Sequence, residues 1–443
     1  MPTKDGTKVF RDPIYGYIEV GPEELKIINL PVFQRLRWIS QLSFCDLAYP
    51  NAKHSRFSHV LGVMHLCGLY ADHLTEFNLM GRHEELKRLL RLAGLLHDIG
   101  HWPFSHASEP FFAEFILKDK EGWKDAHVRW GQNVIKNHDF GIIEVIGEDS
   151  ANQVAALISG QGKDSGLHPA LDTVLKGKFS ADRLDYLRRD AHHAGTPEYS
   201  IIDTQRIIRS VFIENNKLYH LQKGLFSLEG AILSYTYMYR ALYYHRVARG
   251  ASSVFLKSLC ESFNKKPFQN VANNFLEPPV FNQLTDCKLL NAIVKLGGKV
   301  AEKLIQSILD RVIPKCLMDH PDLVPYRGPL TRLEEQISDY AKKRLIEDTV
   351  AERLGLRRIY IDHPKFIPYI APGEFLDEPL IASGPEEVHK AQALSEQAPH
   401  LKYLYEISPT VTRIYMDRSE TRPDNEDLMK TVFTVCNEIE SQT

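Results

Sequence analysis

The stretch that decides the fold is LAGLLHDIGHWPFSH, residues 92–106. Its first half has the leucines of a buried helix, and its second half places His97, Asp98, His101 and His106 close together. An ionised carboxylate is costly to bury unless a cation or a strong hydrogen-bond donor lies beside it. A metal ion beside the end of the helix would meet that need. A lone His-Asp pair is more often a satisfied pair of core residues, so the neighbouring motifs have to decide.

Two further motifs supply residues of the same kind. Upstream, KHSRFSHVLGVMH places Arg56 and His59 three positions apart, on one face of a helix. Downstream, FSADRLDYLRRDAHHAG places Asp182, Tyr186 and Asp190 at i, i+4 and i+8, along one stripe of another helix. Each residue alone has an ordinary explanation, such as a surface charge or a helix cap. As a set they indicate a built site.

The metal-binding candidates are two imidazoles and two carboxylates. They are His59, His97, Asp98 and Asp182. A mixed nitrogen and oxygen set suits manganese, magnesium, iron or zinc with coordination positions left open for water. The absence of thiolate from the set disfavours a closed structural zinc site.

Composition indicates an ordinary soluble chain. Of 443 residues, 43% are hydrophobic and 25% are charged, and 54 basic against 57 acidic side chains give a formal charge of -3. No overall field would attract nucleic acid or an anionic membrane, so we expect neither as a partner. The six cysteines form no CxxC pair, which argues against a disulfide framework. The N-terminus has no signal-peptide core, and we expect a cytoplasmic protein.

The pattern along the chain predicts a mainly α fold. TKVFRDPIYGYIEVG predicts a short N-terminal hairpin, and apolar residues at helical spacing then continue from Pro22 to about Asp348. After a charged helix, segments rich in Pro, Tyr and Ile predict strands of a smaller α+β region. We therefore predict a catalytic core over residues 1–350 and a C-terminal α+β region over residues 351–443.

The motifs HSRFSH, HDIGHWPFSH and ADRLDYLRRD, in this order and spacing, resemble the HD-domain deoxynucleoside triphosphate triphosphohydrolases. The likeness starts at KVFRDPIYGYIEV, continues through FQRLRWISQL to about ALYYHRV, and fades in the C-terminal third. It is strongest to the vertebrate branch, whose members carry a SAM domain. Because no SAM domain precedes the HD motifs here, we expect a compact microbial member.

The resemblance implies a helical HD domain with His59, His97, Asp98 and Asp182 as the metal ligands. It also implies that metal-activated water attacks the α-phosphorus, so that the products are a deoxynucleoside and inorganic triphosphate. A bound metal can lower the pKa of water from about 15.7 to about 7 and can polarise a phosphoryl oxygen. The implied chemistry is therefore physically reasonable.

The leaving 5'-oxygen needs a proton, and the resemblance makes His106 the candidate general acid with Glu109 to orient it. His101 and His127 would stabilise charge around the α-phosphate. Two details depart from the family pattern. Relatives have Asp where Glu109 stands, and an acidic residue follows their counterpart of His127, whereas Val128 follows it here.

A triphosphate carries about four negative charges, which must meet a local group of cations. The positions that match the family are Arg56, Arg183 and Tyr186, and relatives have Lys in place of Arg183.

The deoxyribose positions also come from the resemblance. Tyr243 and Leu42 would crowd the sugar C2' and exclude a ribose hydroxyl, while Gln41 and Asp190 would bond the 3'-hydroxyl. The segment around Tyr243, SYTYMYRALYYHRVARG, equally suits a core helix packed with tyrosines. Base contacts are poorly defined, which favours a broad dNTP range.

Family members of this kind are often activated by a guanine nucleotide at a subunit interface. The corresponding positions here are Lys8, Val9, Asn29, Gln34 and Arg37. Asn29 stands where relatives have an aspartate, and an amide cannot accept both guanine N–H groups as a carboxylate does. We therefore expect that the site either binds a different nucleotide or only stabilises a homo-oligomer, which we expect to be a tetramer.

Three functions are consistent with this sequence. The first is a metal-dependent dNTP triphosphohydrolase. The second is a phosphohydrolase of the same fold that acts on nucleoside monophosphates or another phosphate ester. The third is a nucleotide or nucleic-acid sensor without catalysis, against which the intact ligand set and the two histidines, His101 and His106, argue, because a binder needs no proton donor.

Overall fold

A computed structural model describes residues 6–75, 83–119, 123–319, 333–337, 339–364, 379–401 and 412–441 of the chain. The predicted N-terminal hairpin is present, with β1 (Lys8–Asp12) antiparallel to β2 (Gly16–Val20). The Asp12 carboxylate accepts the backbone N–H groups of Ile14 and Tyr15 and so closes the turn.

Helices dominate the described residues, as predicted. In the first half of the chain they are α1 (Pro22–Ile28), α2 (Pro31–Gln34), α3 (Arg56–Thr75), α4 (His83–Leu96), α5 (Glu109–Phe111), α6 (Ala126–Lys136), α7 (Ile142–Ile146), α8 (Glu148–Ser159), α9 (Ala170–Lys176), α10 (Ala181–Ala194) and α11 (Thr204–Ile208). They continue with α12 (Leu225–Met238), α13 (Arg246–Phe263), α14 (Lys266–Ala272), α15 (Pro278–Phe281), α16 (Asp286–Leu296), α17 (Gly298–Leu309), α18 (Tyr340–Arg353), α19 (Leu394–Gln397) and α20 (Asn425–Ser441). None of these helices is both long and apolar enough to cross a membrane.

Helix α3 contacts both α4 and α10, and the motifs found in the sequence lie on α3, in the loop after α4 and on α10. Glycine permits the close approach of α3 to α4. A Cβ on Gly94 would lie 2.8 Å from Cys67 Sγ and 3.1 Å from the backbone of Met64. This packing fixes the end of α4, just before His97 and Asp98, against the middle of α3.

A four-stranded sheet packs against the helical core through residues such as Ile213 and Ile381, with strand order β3-β4-β7-β8. Its strands are β3 (Val211–Glu214), β4 (Lys217–Leu221), β7 (Leu380–Ala382) and β8 (Gln392–Ala393). The β3-β4 hairpin lies in the region expected to be mostly helical and was not predicted. Its turn residues, Asn215 and Asn216, both have positive φ, 49° and 61°, as a two-residue hairpin turn requires.

The C-terminal part contains the predicted strands, but they pair across residue 350. Strand β9 (Arg413–Met416) lies between β5 (Lys315–Met318) and β6 (Ile359–Asp362), antiparallel to both. A second apolar core lies between this sheet and helices α18 and α20. Helix α18 runs through residue 350. The domain boundary placed there stays a prediction. Much of the predicted strand segment after Asp362, and the start of KYLYEISPTVTRIYMDRS, lie outside the described residues.

Candidate active site

A cavity of about 580 Å³ collects the predicted residues on its walls. The first motif contributes from the start of α3, the second from the loop after α4, and the third from α10. The candidates that line it are Gln41, Leu42, Arg56, His59, His97, Asp98, His101, His106, His127, Asp182, Arg183, Tyr186, Asp190 and Tyr243. Glu109 lies behind this wall and bonds two of the lining histidines.

Three of the four proposed metal ligands, His59, His97 and Asp182, have ligand atoms within 4.8 Å of one another, and Asp98 lies beside them. Asp182 Oδ1 is 3.1 Å from His59 Nε2 and 3.6 Å from His97 Nε2, and Asp98 Oδ1 is 3.4 Å from His97 Nε2. Metal–ligand bonds of about 2.0–2.2 Å place neighbouring ligand atoms roughly 3 to 3.5 Å apart, which is close to these distances. His97 Nε2 is buried and has no hydrogen-bond partner among the described residues. The residues present therefore fit a divalent metal ion.

Both histidine rings are held so that Nε2 faces the metal position. His59 Nδ1 lies 2.8 Å from Asp185 Oδ2, and His97 Nδ1 lies 2.8 Å from the carbonyl oxygen of Gly94. Partners of this kind fix the tautomer and orientation of a metal-binding imidazole. Asp185 was not predicted to have a role. Its signal is its position three residues after Asp182, but the i+4 residue Arg189 suggests an ordinary helix ion pair instead.

Asp185 is fully buried and binds Arg189 through two hydrogen bonds, of 2.8 and 2.9 Å. Arg189 also donates to Asp12 Oδ2 at 2.7 Å, which ties the hairpin to the centre of the site. A Cβ on Gly62 would lie 1.9 Å from Asp185 Oδ1, so α3 needs glycine at this position.

Electrostatics keep the ligand carboxylates ionised. Burial alone would raise the pKa of Asp98, but Arg56, followed by His97 and His101, brings it well below its usual value. For Asp182, the hydrogen bond from His59 and the nearby His97 ring outweigh burial and lower the pKa in the same way. Burial lowers the pKa of His59, but its bonds to Asp182 and Asp185 raise the net value to about 10. A metal ion bound at His59 Nε2 would displace the proton from this nitrogen.

Glu109 joins two histidines that face the cavity. Its Oε2 is 2.7 Å from His106 Nδ1, and its Oε1 is 2.5 Å from His127 Nδ1 and accepts the His127 backbone N–H at 3.0 Å. The two histidines lower the pKa of Glu109 well below its usual value, although burial opposes this shift. The longer glutamate thus reaches both rings and leaves Nε2 of each free of the carboxylate. His106 is the more exposed of the two, with 64% of its side chain accessible.

Comparison with known proteins gives the family. Residues 56–187 match the family model described as HD domain, and residues 202–367 match the model described as HD associated region. The chain is 30% identical over 329 residues to the uncharacterized protein MG461 of Mycoplasma genitalium, covering 70% of this chain and 76% of that protein. The chain belongs to the HD-domain phosphohydrolase family. All four proposed metal ligands lie within the matched HD domain.

Among the relatives of this HD phosphohydrolase is a Dictyostelium discoideum protein named deoxynucleoside triphosphate triphosphohydrolase SAMHD1 homolog, 25% identical over 81% of this chain and 70% of that protein. The Gallus gallus deoxynucleoside triphosphate triphosphohydrolase SAMHD1 is 34% identical, but the match covers 47% of this chain and 37% of that protein. A solved hypothetical protein from Aquifex aeolicus has the same fold, with a TM-score of 0.71, 24% identity, and coverage of 97% of this chain and 99% of that chain.

The loop of the HD domain that carries His101 and His106 is held in a strained conformation. Phe104 and Ser105 have positive φ, 60° and 52°. The Phe104 backbone N–H donates to Asp286 Oδ1 at 2.7 Å, and the Ser40 N–H donates to Asp286 Oδ2 at 2.9 Å. Burial raises the pKa of Asp286 to about 6. Asp286 lies far away in the sequence, and no motif pointed to it.

Arg35, another buried residue that was not predicted, donates to the carbonyl oxygens of His101 and Ile99 at 2.8 and 2.9 Å. Arg56 donates to Ser105 Oγ at 2.7 Å and also bonds Asp98. The loop is therefore fixed from two sides of the HD domain.

The HD-domain cavity is also lined by the residues expected to contact a sugar. Tyr243 Oη donates to Asp190 Oδ2 at 2.7 Å, and its ring meets that of Tyr186 edge-on at 6.0 Å. Tyr243 lies in a π-helical turn, Tyr239–Tyr243, a feature common at functional sites. Leu42 is 8% exposed, and Gln41 Oε1 is buried without a hydrogen-bond partner among the described residues.

Arg183, on the first turn of α10, lies 5.6 Å from the ring centroid of Tyr235. The neighbouring Tyr186 lies on the next turn of α10, facing the same cavity. Burial raises the pKa of Tyr186 well above its usual value, so its hydroxyl stays protonated and can donate to a phosphate oxygen.

The residues expected to bind a regulatory nucleotide do not line the HD-domain cavity. Lys8 and Val9 lie on β1, and Asn29 follows the last residue of α1. Gln34 Nε2 donates to the carbonyl oxygen of Ile28, and Arg37 Nε donates to Gln34 Oε1 at 2.8 Å. Their regulatory role stays a prediction.

Proposed function

We propose that this protein is a metal-dependent dNTP triphosphohydrolase, which converts a deoxynucleoside triphosphate to a deoxynucleoside and inorganic triphosphate. One observation carries the proposal. A single cavity joins the metal ligand set, the Glu109-bound His106 and the Asp190–Tyr243 wall. The cavity therefore offers a metal site for a phosphate ester, a proton donor for its leaving group and a surface for a sugar.

The metal would be held by His59, His97, Asp98 and Asp182. A divalent ion bound there would supply polarisation of a phosphoryl oxygen and an acidified water as nucleophile. Its identity among manganese, magnesium, iron and zinc is set by availability as much as by this ligand set.

The chain's own residues would bind and orient the triphosphate. Arg56 reaches the α-phosphate from beside Asp98, and Arg183 and Tyr186 contact the rest of the phosphate chain. His101 and His127, whose rings stack with centroids 3.9 Å apart, lie beside the α-phosphate. Burial and then Arg56 bring the pKa of His101 well below its usual value, so its ring stays neutral and donates one hydrogen bond.

His106 would donate a proton from Nε2 to the leaving 5'-oxygen. Glu109 accepts from Nδ1 and stabilises the protonated ring before the transfer. Because Glu109 also holds His127, both rings keep a fixed orientation toward the α-phosphate.

Selection of deoxyribose would come from the Asp190–Tyr243 wall. Tyr243 and Leu42 crowd C2', where a ribose hydroxyl would lose its water without finding a partner. Gln41 and Asp190 would bond the 3'-hydroxyl. The names of the Dictyostelium and Gallus relatives support dNTPs as the substrate class.

The proposal includes a homo-oligomer, a tetramer, activated by a nucleotide bound near Lys8, Val9, Asn29, Gln34 and Arg37. The support is the match to the family positions described above. Asn29 makes us expect an activator other than GTP.

Product analysis tests the proposed reaction. Purified protein would be incubated with Mn²⁺ and each dNTP, with GTP or a second dNTP added in parallel, and the products separated by ion-exchange chromatography. We expect deoxynucleoside and intact triphosphate, both lost in His97→Ala and Asp98→Ala. Release of phosphate or pyrophosphate would favour the phosphate-ester alternative, and dNTP binding without turnover would favour the sensor.

A further inference from the structure

Asp190 presents only hydrogen-bond acceptors to the cavity. Its carboxylate is 2% exposed, and each oxygen already accepts one bond, Oδ2 from the Tyr243 hydroxyl and Oδ1 from His54 Nε2 at 2.8 Å. A carboxylate oxygen has a second lone pair, so each can still accept one more donor. The remaining lone pairs suit a substrate hydroxyl group that donates. Their position depends on the hydrogen bonds from Tyr243 and His54.

His54 does not line the cavity, and its side chain is 2% exposed. It lies behind Asp190 with its ring stacked on His193, at 4.4 Å between centroids and 13° between planes. A carboxylate can only accept, so a hydrogen bond between His54 and the carboxylate of Asp190 puts the proton on His54 Nε2. The ring stacking holds the plane of the imidazole, and Nε2 is the ring nitrogen that reaches Asp190.

His54 also holds the backbone of Gln41, the second residue expected to bond the 3'-hydroxyl. Its carbonyl oxygen accepts the Gln41 backbone N–H at 3.0 Å. Gln41 lines the same cavity as Asp190. One residue thus sets the position of both groups that would meet a 3'-hydroxyl, Asp190 by its ring and Gln41 by its backbone.

We propose that His54 is the positioning residue for recognition of the 3'-hydroxyl, through its hydrogen bond to Asp190 and its backbone bond to Gln41. The inference rests on the proposed dNTP triphosphohydrolase function. It adds a residue that contacts no substrate and yet sets the preference for a sugar that carries a 3'-hydroxyl.

The test compares dATP with 2',3'-dideoxy-ATP, which lacks the 3'-hydroxyl. A hydrogen bond to a charged acceptor predicts that kcat/KM of the wild type favours dATP by about 10- to 100-fold. His54→Gln places an amide N–H near the position of Nε2 and should keep that ratio within about threefold. His54→Asn places its amide near Nδ1, too short for Asp190, and should bring the ratio to within about threefold of one.

His193→Phe is the matched control, because it keeps a flat ring against His54 and has no bond to Asp190. It should keep the wild-type ratio. Equal loss of kcat/KM for both nucleotides in His54→Asn would overturn the proposal, since a purely structural role acts on both alike. A ratio in His54→Asn as high as in His54→Gln would also overturn it.

If the wild type hydrolyses neither nucleotide, the proposed function itself fails, and the two failures are thereby distinguished. If neither His54 variant folds, as judged by thermal unfolding, the tautomer of His54 in the wild type tests the proposal instead. Long-range ¹H–¹⁵N spectra of histidine-labelled wild type should show a protonated Nε2 on His54, and an unprotonated Nε2 would overturn the proposal.

Discussion

Replacing Asp185 by Asn tests whether a buried carboxylate behind the metal ligands tunes metal affinity. Asp185 accepts from His59 Nδ1 and forms two bonds with Arg189, and it is fully buried. The variant weakens the hydrogen bond that orients His59, so we expect metal affinity to fall by about 10- to 100-fold. This corresponds to roughly 1.4–2.7 kcal/mol of binding free energy.

The same change also lowers stability, because Arg189 loses a charged partner. Removing one member of a buried ion pair costs about 3–5 kcal/mol. Arg189 keeps Asp12 in the Asp185→Asn variant, so we expect a free energy of unfolding lower by about 3 kcal/mol, near the low end of that range.

Asp12→Asn separates the two effects. Asp12 contacts Arg189 on its other side and contacts none of the proposed metal ligands. Urea unfolding of the chelated proteins should show both variants destabilised. Calorimetric titration with Mn²⁺ should show weakened binding in Asp185→Asn alone. Equal metal affinity in the two variants would refute this reasoning.

Three further predictions concern the acid pair, acid stability and the packing of α3. Glu109→Gln removes the charge behind His106 and should lower kcat by on the order of 10² with a smaller change in KM, measured by initial rates; an unchanged kcat would count against the acid role. Burial lowers the pKa of His220 to about 3. The unfolded chain therefore protonates His220 at a higher pH than the folded protein does, and the free energy of unfolding decreases as pH falls below about 6.5. Between pH 7 and pH 5 this loss is up to about 2 kcal/mol, and His220→Phe should remove it in urea unfolding at the two pH values. Gly62→Ala, whose Cβ would meet Asp185 Oδ1 at 1.9 Å, should destabilise by more than about 3 kcal/mol, whereas Gly384→Ala, with open space around it, should not.

Local sequence pattern predicted the parts of the fold that depend on nearby residues. The hairpin at Asp12 and the helical stripes of α3 and α10 follow from turn chemistry and helical periodicity. The meeting of His59, His97 and Asp182 in one cavity was expected from the residue types and the family resemblance.

The missed residues act only through tertiary contacts. Asp286 and Arg35 bind the backbone of the strained loop across large sequence separations, so no local pattern marks them. Asp185 has the spacing of an ordinary helix ion pair with Arg189, which hides its bond to His59. The β3-β4 hairpin did carry a signal, the Asn215-Asn216 turn between residues typical of strands, that the helical pattern around it outweighed.

The destination of the water oxygen tests the central claim most directly. The wild type, loaded with Mn²⁺, would hydrolyse a dNTP in H₂¹⁸O, and mass spectrometry would locate the label. The account predicts one ¹⁸O atom in the inorganic triphosphate and none in the deoxynucleoside. Label in a deoxynucleoside monophosphate would show that pyrophosphate leaves instead of the 5'-oxygen. Label in orthophosphate, pyrophosphate or the deoxynucleoside would show attack at another atom. Either result would contradict the account.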